Sequence, residues 1–461
     1  MLLATAAHAQ NVPVIMLSDI HFDPFHDPAK FAQLRSAPAP QWLAILSAPD
    51  TPTQSADFEA LQKACKAKGI DTPFALLASS LHAERAQQPH PLFVTVSGDL
   101  MAHKFDCRFQ QLAPKATEAE YSAFAAKTVE FVALQLHATF PHSPIYFALG
   151  NNDSGCEDYR EDPNSAFLRA DAKSFAVDTL NKVNAQAVLR EFPQAGDYSV
   201  ALPAPFTHTR LLVLQDIFES KRYTACNGKP NDSIGEQQIA WLHTQLTAAR
   251  NAHQKVWVMA HIPPGIDPYT TFTNKQNKCG GEPEMFLGSE SFANTLIEFA
   301  DVIKLALFGH THMDEMRVYT GAGGSVPGKL VPSISPVNGN NPAFTLAQVD
   351  PATAILKDYS VYAASNQTGD KWTEEYRYSK TYALSDFSGA TAAKLAAGFL
   401  ADKTGSSPTS TAYESFYLVG GGGISANVKA AAMQFVWPTY ACSIAESRKE
   451  GFKACLCPAH P

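Results

Sequence analysis

The chain reads as an α/β protein, a sheet with helices on its faces, followed by a small helical region at the C-terminal end. Three observations predict this. Short apolar runs recur at 12–17, 92–96, 145–149, 211–214, 256–259 and, broken by Lys304, 302–308, as buried parallel strands do. Helical periodicity fills the gaps between them, and from about Gln367 the strand pattern stops.

The helices follow from apolar spacing. Tyr121, Phe124, Ala125 and Val129 share one face of a helix over 117–140, and Ile239, Leu242, Leu246 and Ala249 mark the next. A third covers 289–300. Residues 26–90 break the alternation with a Pro- and Ala-rich stretch, then helical patterns near 56–68 and 75–86; this segment is expected to be an insertion beside the site. After residue 367, helices are expected at 392–403 and 426–435, separated by Ser/Thr-rich linkers and the Gly420–Gly423 run. The expected division is a leader remnant over 1–10, a catalytic domain over 11–366 and a helical subdomain over 367–461. There is no internal repeat.

With 45% apolar and 17% charged residues in 461, the chain has the balance of a folded globular protein. A net charge of −8 disfavours nucleic acid as a stable partner and leaves any phosphate group to be held by local cations or metal. No stretch reaches the roughly 18 apolar residues that a membrane span needs, and a monomer is expected. The first residues end in Ala7-His8-Ala9 after an apolar stretch, which reads as the tail of a signal peptide without its charged start, the alternative being an ordinary frayed terminus. A secreted or periplasmic location follows from the first reading. The eight cysteines lack the paired spacing of a structural zinc site, so disulfides are expected for all of them. Cys107 and Cys156 each follow a ligand segment and are candidates to pair, and Cys442 with Cys455 or Cys457 would staple the tail.

Five segments carry the chemistry, each placed directly after a strand-like run: Ser18-Asp19-Ile20-His21, Gly98-Asp99, Gly150-Asn151-Asn152-Asp153, Ala260-His261, and Gly309-His310-Thr311-His312. Carboxylate and amide oxygens with imidazole nitrogens suit Zn²⁺, Fe or Mn²⁺, and the absence of cysteine argues against a thiolate site. Glycine before Asp99, Asn151 and His310 lets the strand turn and leaves room for metal and substrate. Lys104, Arg108 and Arg160 flank these segments and could hold phosphate oxygens. Histidines 82, 90, 137, 142, 208, 243 and 253 have no partner pattern and are read as exposed.

As a set, these segments resemble the calcineurin-like metallophosphoesterases, whose pattern is D-x-H, G-D, G-N-H-D/E, a lone His and G-H-x-H. His103 four positions after Asp99, His261-Ile262-Pro263-Pro264-Gly265, Ser335-Pro336 and Asn341-Pro342 resemble the acid sphingomyelinase branch, and the likeness spans about residues 13–362. It implies a four-layer sandwich of two mixed sheets flanked by helices. It also implies that Asp19, His21 and His312 hold one metal, that Asn151, His261 and His310 hold the other, and that Asp99 bridges them. Such a pair, about 3.5–4 Å apart, clamps a phosphoryl group and lowers the pKa of water. A bridge between Cys226 and Cys279 is implied in the same way.

One position departs from the pattern. Asn152 stands where histidine is usual, and an amide can bond a phosphate oxygen but cannot deliver a proton. His103 is left as the general acid. A G-N-N-D segment is also found in endopolyphosphatase-like members. The expected function is hydrolysis of a phosphodiester or phosphoanhydride, of soluble nucleotide type, by metal-activated water. The rivals are an endopolyphosphatase, a sphingomyelinase-like lipid phosphodiesterase and a metal-binding protein that has lost catalysis.

Overall fold

A computed structural model describes residues 10–420 and 426–457; the expected leader falls outside them, apart from Gln10. Among the described residues, twelve strands form two six-stranded sheets. The first contains β1 (Val12–Leu17), β2 (Phe93–Ser97) and β3 (Ile145–Ala148). The second contains β4 (Tyr198–Ala201), β5 (Thr209–Val213), β6 (Lys255–Met259), β7 (Ile303–Phe308), β8 (Glu315–Gly321) and β9 (Gly324–Leu330). The chain then returns to the first sheet with β10 (Ala343–Asp350), β11 (Ile355–Ala364) and β12 (Trp372–Arg377). The strand orders are β12-β11-β10-β1-β2-β3 and β4-β5-β6-β7-β9-β8. β1, β2 and β3 run parallel, as do β5, β6, β7 and β9, while the outer members pair antiparallel. Every apolar run read from the sequence is one of these strands.

The pleat of the second sheet separates its side chains into two cores. Leu211, Val213, Trp257, Met259, Leu305 and Leu307 face the first sheet, while Leu212, Val256, Val258, Ala306 and Phe308 face the helices Ser233–Asn251 and Ser291–Glu298, as a period of two requires. On the other side, Phe124, Val129, Val132 and Leu136 of helix Glu118–Thr139 join the core of the first sheet. Helix, sheet, sheet, helix is the four-layer sandwich expected. That long helix starts at a capping box, Thr117 with Glu120.

The sheet runs past residue 367, where the sequence pattern ends it. β12 pairs antiparallel with β11, and its composition, Trp372-Thr373-Glu374-Glu375-Tyr376-Arg377, is that of a charged edge strand, which hides apolar periodicity. The helices Gly389–Ala401 and Ala426–Ala445 then follow, the second ten residues longer than the stretch expected over 426–435, with Leu395, Phe399 and Trp437 in the same core as the first sheet.

All eight cysteines are paired, but two expected pairings are corrected. Cys226 bonds Cys156 instead of Cys279, because a parallel bridge between Arg160 and Thr224 lays their loops side by side. Cys107 bonds Cys65 instead of Cys156, because helix Gln54–Ala64 of the insertion packs on helix Phe105–Leu112. Cys279 reaches Cys457, and Cys442 takes Cys455 as expected. Among the described residues, no helix is long and apolar enough to cross a membrane.

Candidate metal centre

All five segments lie just beyond the carboxyl ends of parallel strands, β1, β2 and β3 from one sheet and β6 and β7 from the other. The sheets meet there, so donors scattered over the sequence share one pocket. Asp19, His21, Asp99, Asn151, His261 and His312 are buried, and His310 is half-buried. The turns that bring them in are strained. Asp19, His21, Asp99, His310 and His312 all have positive φ, between 45° and 72°, a conformation that costs non-glycine residues on the order of 1 kcal/mol or more and clusters at functional sites. Gly98 sits at φ 91°, and a Cβ there would lie 2.6 Å from His261 Nδ1. A Cβ on Gly150 would collide with Asp99 Oδ1. Both glycines are therefore needed for the loops to approach one another.

The donors fall into two groups around Asp99. On one side, His21 Nε2 lies 3.1 Å from His312 Nε2 and 3.4 Å from Asp99 Oδ2, and His312 Nε2 lies 3.4 Å from Asp19 Oδ1. On the other, His261 Nε2 lies 3.1 Å from Asp99 Oδ2, and His310 Nδ1 lies 3.0 Å from Asn151 Oδ1. The seven candidate donors thus lie around one pocket, with His261 Nε2 also 4.0 Å from Asp19 Oδ1.

Hydrogen bonds behind the donors fix their orientation. His21 Nδ1–H donates to Met101 O and His261 Nδ1–H to Ser97 O, both at 2.8 Å. Each ring therefore turns Nε2 toward Asp99 Oδ2, itself an acceptor, and that nitrogen must carry either a proton or a cation. Asn151 donates its amide to Asp158 Oδ1, leaving its own oxygen toward His310. Imidazole nitrogens converging on carboxylates in a buried pocket, with His261 Nε2 facing Asp99 and Asp19, fit a divalent-cation site.

Electrostatics agree. Burial alone would raise the Asp19 carboxyl, but His312, His21 and His261 outweigh it and hold it at about 2. Asp99 lies well below the usual carboxylate range for the same reason, with His261 and His21 offsetting its burial. Conversely, burial lowers the histidines, yet Asp99 raises His21 to about 9 and His261 to about 10. A bound cation would displace those protons.

His103 stacks on His21, with ring centroids 4.0 Å apart, and one ring nitrogen of each of His21, His103 and His312 lies within 4.8 Å of the others. Its Nδ1 is 2.9 Å from Asp71 Oδ1, and its backbone N–H donates to Asp71 Oδ2. Asp71, fully buried, comes from the insertion, which the sequence reading placed beside the site without assigning it a residue. Asp216 is a second unread contributor, accepting from the N–H groups of His261 and Ile262. Asp216 acts through backbone N–H groups and Asp71 through one such group and the His103 ring, and neither sits in a sequence motif. Asp153, the last residue of the Gly150-Asn151-Asn152-Asp153 segment, joins Leu100 and Met101 to Gly150 through its two oxygens.

Two neighbouring side chains have their partners fixed, and for Arg108 this corrects the expectation. Asn152 is engaged with Asp99: its Nδ2 donates to Asp99 Oδ2, and its backbone N–H to Asp99 Oδ1, both at 2.8 Å. Arg108 is 1% exposed and bonded to Asp23, Gln62 and, at 3.6 Å, Asp71, so it braces the insertion and is not free for phosphate. Lys104 is exposed, and Arg160 is paired with Glu157. A cavity of about 340 Å³ adjoins His310, lined by Asp267, Tyr269, Phe286, Glu315 and Tyr417 among others.

Comparison with known proteins places the chain in a family. The model for calcineurin-like phosphoesterases matches residues 12–314, and the chain belongs to that family. It is a metal-dependent phosphoric ester hydrolase of the kind that works through a dinuclear divalent-metal centre. The acid sphingomyelinase-like phosphodiesterase 3b of Homo sapiens is 28% identical over 336 residues, covering 69% of this chain and 68% of that protein. The cyclic GMP-AMP phosphodiesterase SMPDL3A of Bos taurus is 24% identical over 350 residues, covering 71% and 70%. Among solved structures, a dimetal phosphatase from Danio rerio superposes with a TM-score of 0.43 at 12% identity, covering 76% of this chain and 95% of that one.

Proposed function

We propose that this protein is an exported hydrolase of soluble phosphodiesters or phosphoanhydrides of nucleotide type. In this reading, Asp19, His21 and His312 hold one divalent cation, Asn151, His261 and His310 the other, and Asp99 both. The observation that carries it is the convergence of seven donors from five strand ends, with Nε2 of His21 and of His261 aimed at Asp99. Zinc suits the imidazole-rich set, with iron or manganese as alternatives. When bound, such a pair supplies Lewis acidity to the phosphoryl group and lowers the pKa of water.

The chain's own residues supply the rest. Asn152 fixes both oxygens of Asp99 and so sets the centre's geometry. Asp71 accepts His103 Nδ1–H, which leaves His103 Nε2 to hand a proton to the departing oxygen. The cavity beside His310 is lined by the rings of Tyr269, Phe286 and Tyr417 and by Asp267, with Glu315 buried against Arg317, and among the described residues no Lys or Arg lines it. Rings stack on a planar base, whereas a cavity whose lining includes Asp267 and no free cation does not hold a polyanion. This favours a nucleoside-bearing ester over inorganic polyphosphate, in keeping with relatives named as cyclic GMP-AMP phosphodiesterases. Four disulfides favour an oxidising, extracytoplasmic location.

The test is a panel of nucleotides, dinucleotides, choline phosphodiesters and long-chain polyphosphate, assayed with zinc or manganese. Nucleotide esters should turn over fastest, with activity lost to a chelator. Faster cleavage of polyphosphate would overturn the substrate assignment.

A further inference from the structure

Four of the eight large apolar side chains exposed among the described residues lie within one short stretch: Val177 (65%), Leu180 (44%), Val183 (75%) and Leu189 (48%). They belong to a helical hairpin, Ala166–Asp178 and Lys182–Ala195. Leu180, in its turn, has φ 49°, and Asn181 caps the second helix by accepting from the N–H groups of Val183 and Asn184. The turn is thus tightly built, yet it presents leucine and valine to solvent.

The charges around this tip are one-sided. Arg169, Lys173, Lys182 and Arg190 are all exposed, while the acids within 166–190, Asp171 and Asp178, are buried. Arg190 pairs with Glu191, whereas Lys173 and Lys182 make no ion pair among the described residues. In a chain of net charge −8, a basic rim around an apolar tip is a local reversal. Apolar side chains flanked by Lys and Arg are the signature of a helical element lying in the interface of an anionic bilayer. A stable protein interface needs about 800 Å² on each side, more than four separate side chains supply.

We propose that this hairpin docks the protein on an anionic lipid surface through Val177, Leu180 and Val183, with Lys173 and Lys182 facing the headgroups. Topology adds a consequence. Asp178 lies 3.0 Å from His137, in the last turn of the helix that leads into the start of β3, whereas Asn151 follows the end of β3. The tip therefore sits at the opposite end of the strands from the metal centre, and a docked molecule keeps its catalytic pocket open to solution.

The experiment is co-sedimentation with vesicles of equimolar phosphatidylcholine and phosphatidylglycerol, or of phosphatidylcholine alone, at low and high salt. The protein should sediment with the anionic vesicles at low salt only. Leu180→Glu with Val183→Glu, or Lys173→Glu with Lys182→Glu, should cut the bound fraction by about tenfold. Hydrolysis of bis-nitrophenyl phosphate should be unchanged in both variants and unaffected by vesicles, which also reports intact folding. Failure to sediment, equal binding to neutral vesicles, or binding indifferent to both variants would overturn the proposal. So would a dimer in analytical ultracentrifugation that the Leu180/Val183 variant dissociates, since the patch would then serve a second copy of the chain.

Discussion

Asp99 at the seam of the two sheets and Glu84 in helix Phe74–Gln87 are both almost completely buried carboxylates, and their surroundings drive them in opposite directions. Around Asp99, two imidazoles and the Asn152 amide outweigh burial, and the group is held charged. Around Glu84 nothing does: both oxygens lack hydrogen-bond partners, and burial pushes its carboxyl up to about 8. Burying a charge is costly unless it is paired. The first site maintains concentrated charge, as cation binding requires, while the second keeps its acid neutral as packing.

The largest effect that bears on this contrast comes from removing the seam carboxylate. Asp99→Ala should lower kcat on bis-nitrophenyl phosphate by about a thousandfold, the scale of losing a principal electrostatic stabiliser, whatever metal is supplied. His103→Ala should cost about a hundredfold or more on an alkyl leaving group and little on nitrophenolate, which needs no proton; equal losses would remove His103 from the acid role. A smaller effect is expected one step back. Asp216→Ala frees the backbone N–H groups of His261 and Ile262 and should weaken metal affinity by about 10- to 100-fold in chelator competition.

Glu84 yields the gentlest test, in stability instead of turnover. Its folded pKa stands above its ordinary value of 4.5, at about 8. Stability is therefore complete below pH 4.5 and lost as pH rises toward 8, where the buried group must ionise. Glu84→Gln should abolish that slope, leaving the variant more stable above pH 8 by on the order of 4 kcal/mol. Denaturant unfolding of both proteins across pH measures it, and parallel curves would show that Glu84 finds a partner.

What the sequence revealed divides along the same line. Asp19, Asp99, Asn151, His261 and His310 were legible because each directly follows an apolar run, so strand and ligand are read together. Asp71 and Asp216 were not. Asp71 serves His103 across 32 positions and Asp216 serves His261 across 45, and neither sits in a motif. Asn152 was legible as a departure, but its use on Asp99 depends on how two loops approach. Cysteine pairing failed at Cys226 and Cys107 because it follows from which loops lie together, and β12 escaped because a charged edge strand has no apolar alternation.

The central claim is that the seam of the two sheets holds two cations around Asp99. Anomalous X-ray scattering from crystals grown with zinc, with metal content counted by mass spectrometry, tests it most directly. The account predicts two peaks flanking Asp99, one facing Nε2 of His21 and the other Nε2 of His261. A single ion, or peaks away from these side chains, would contradict it.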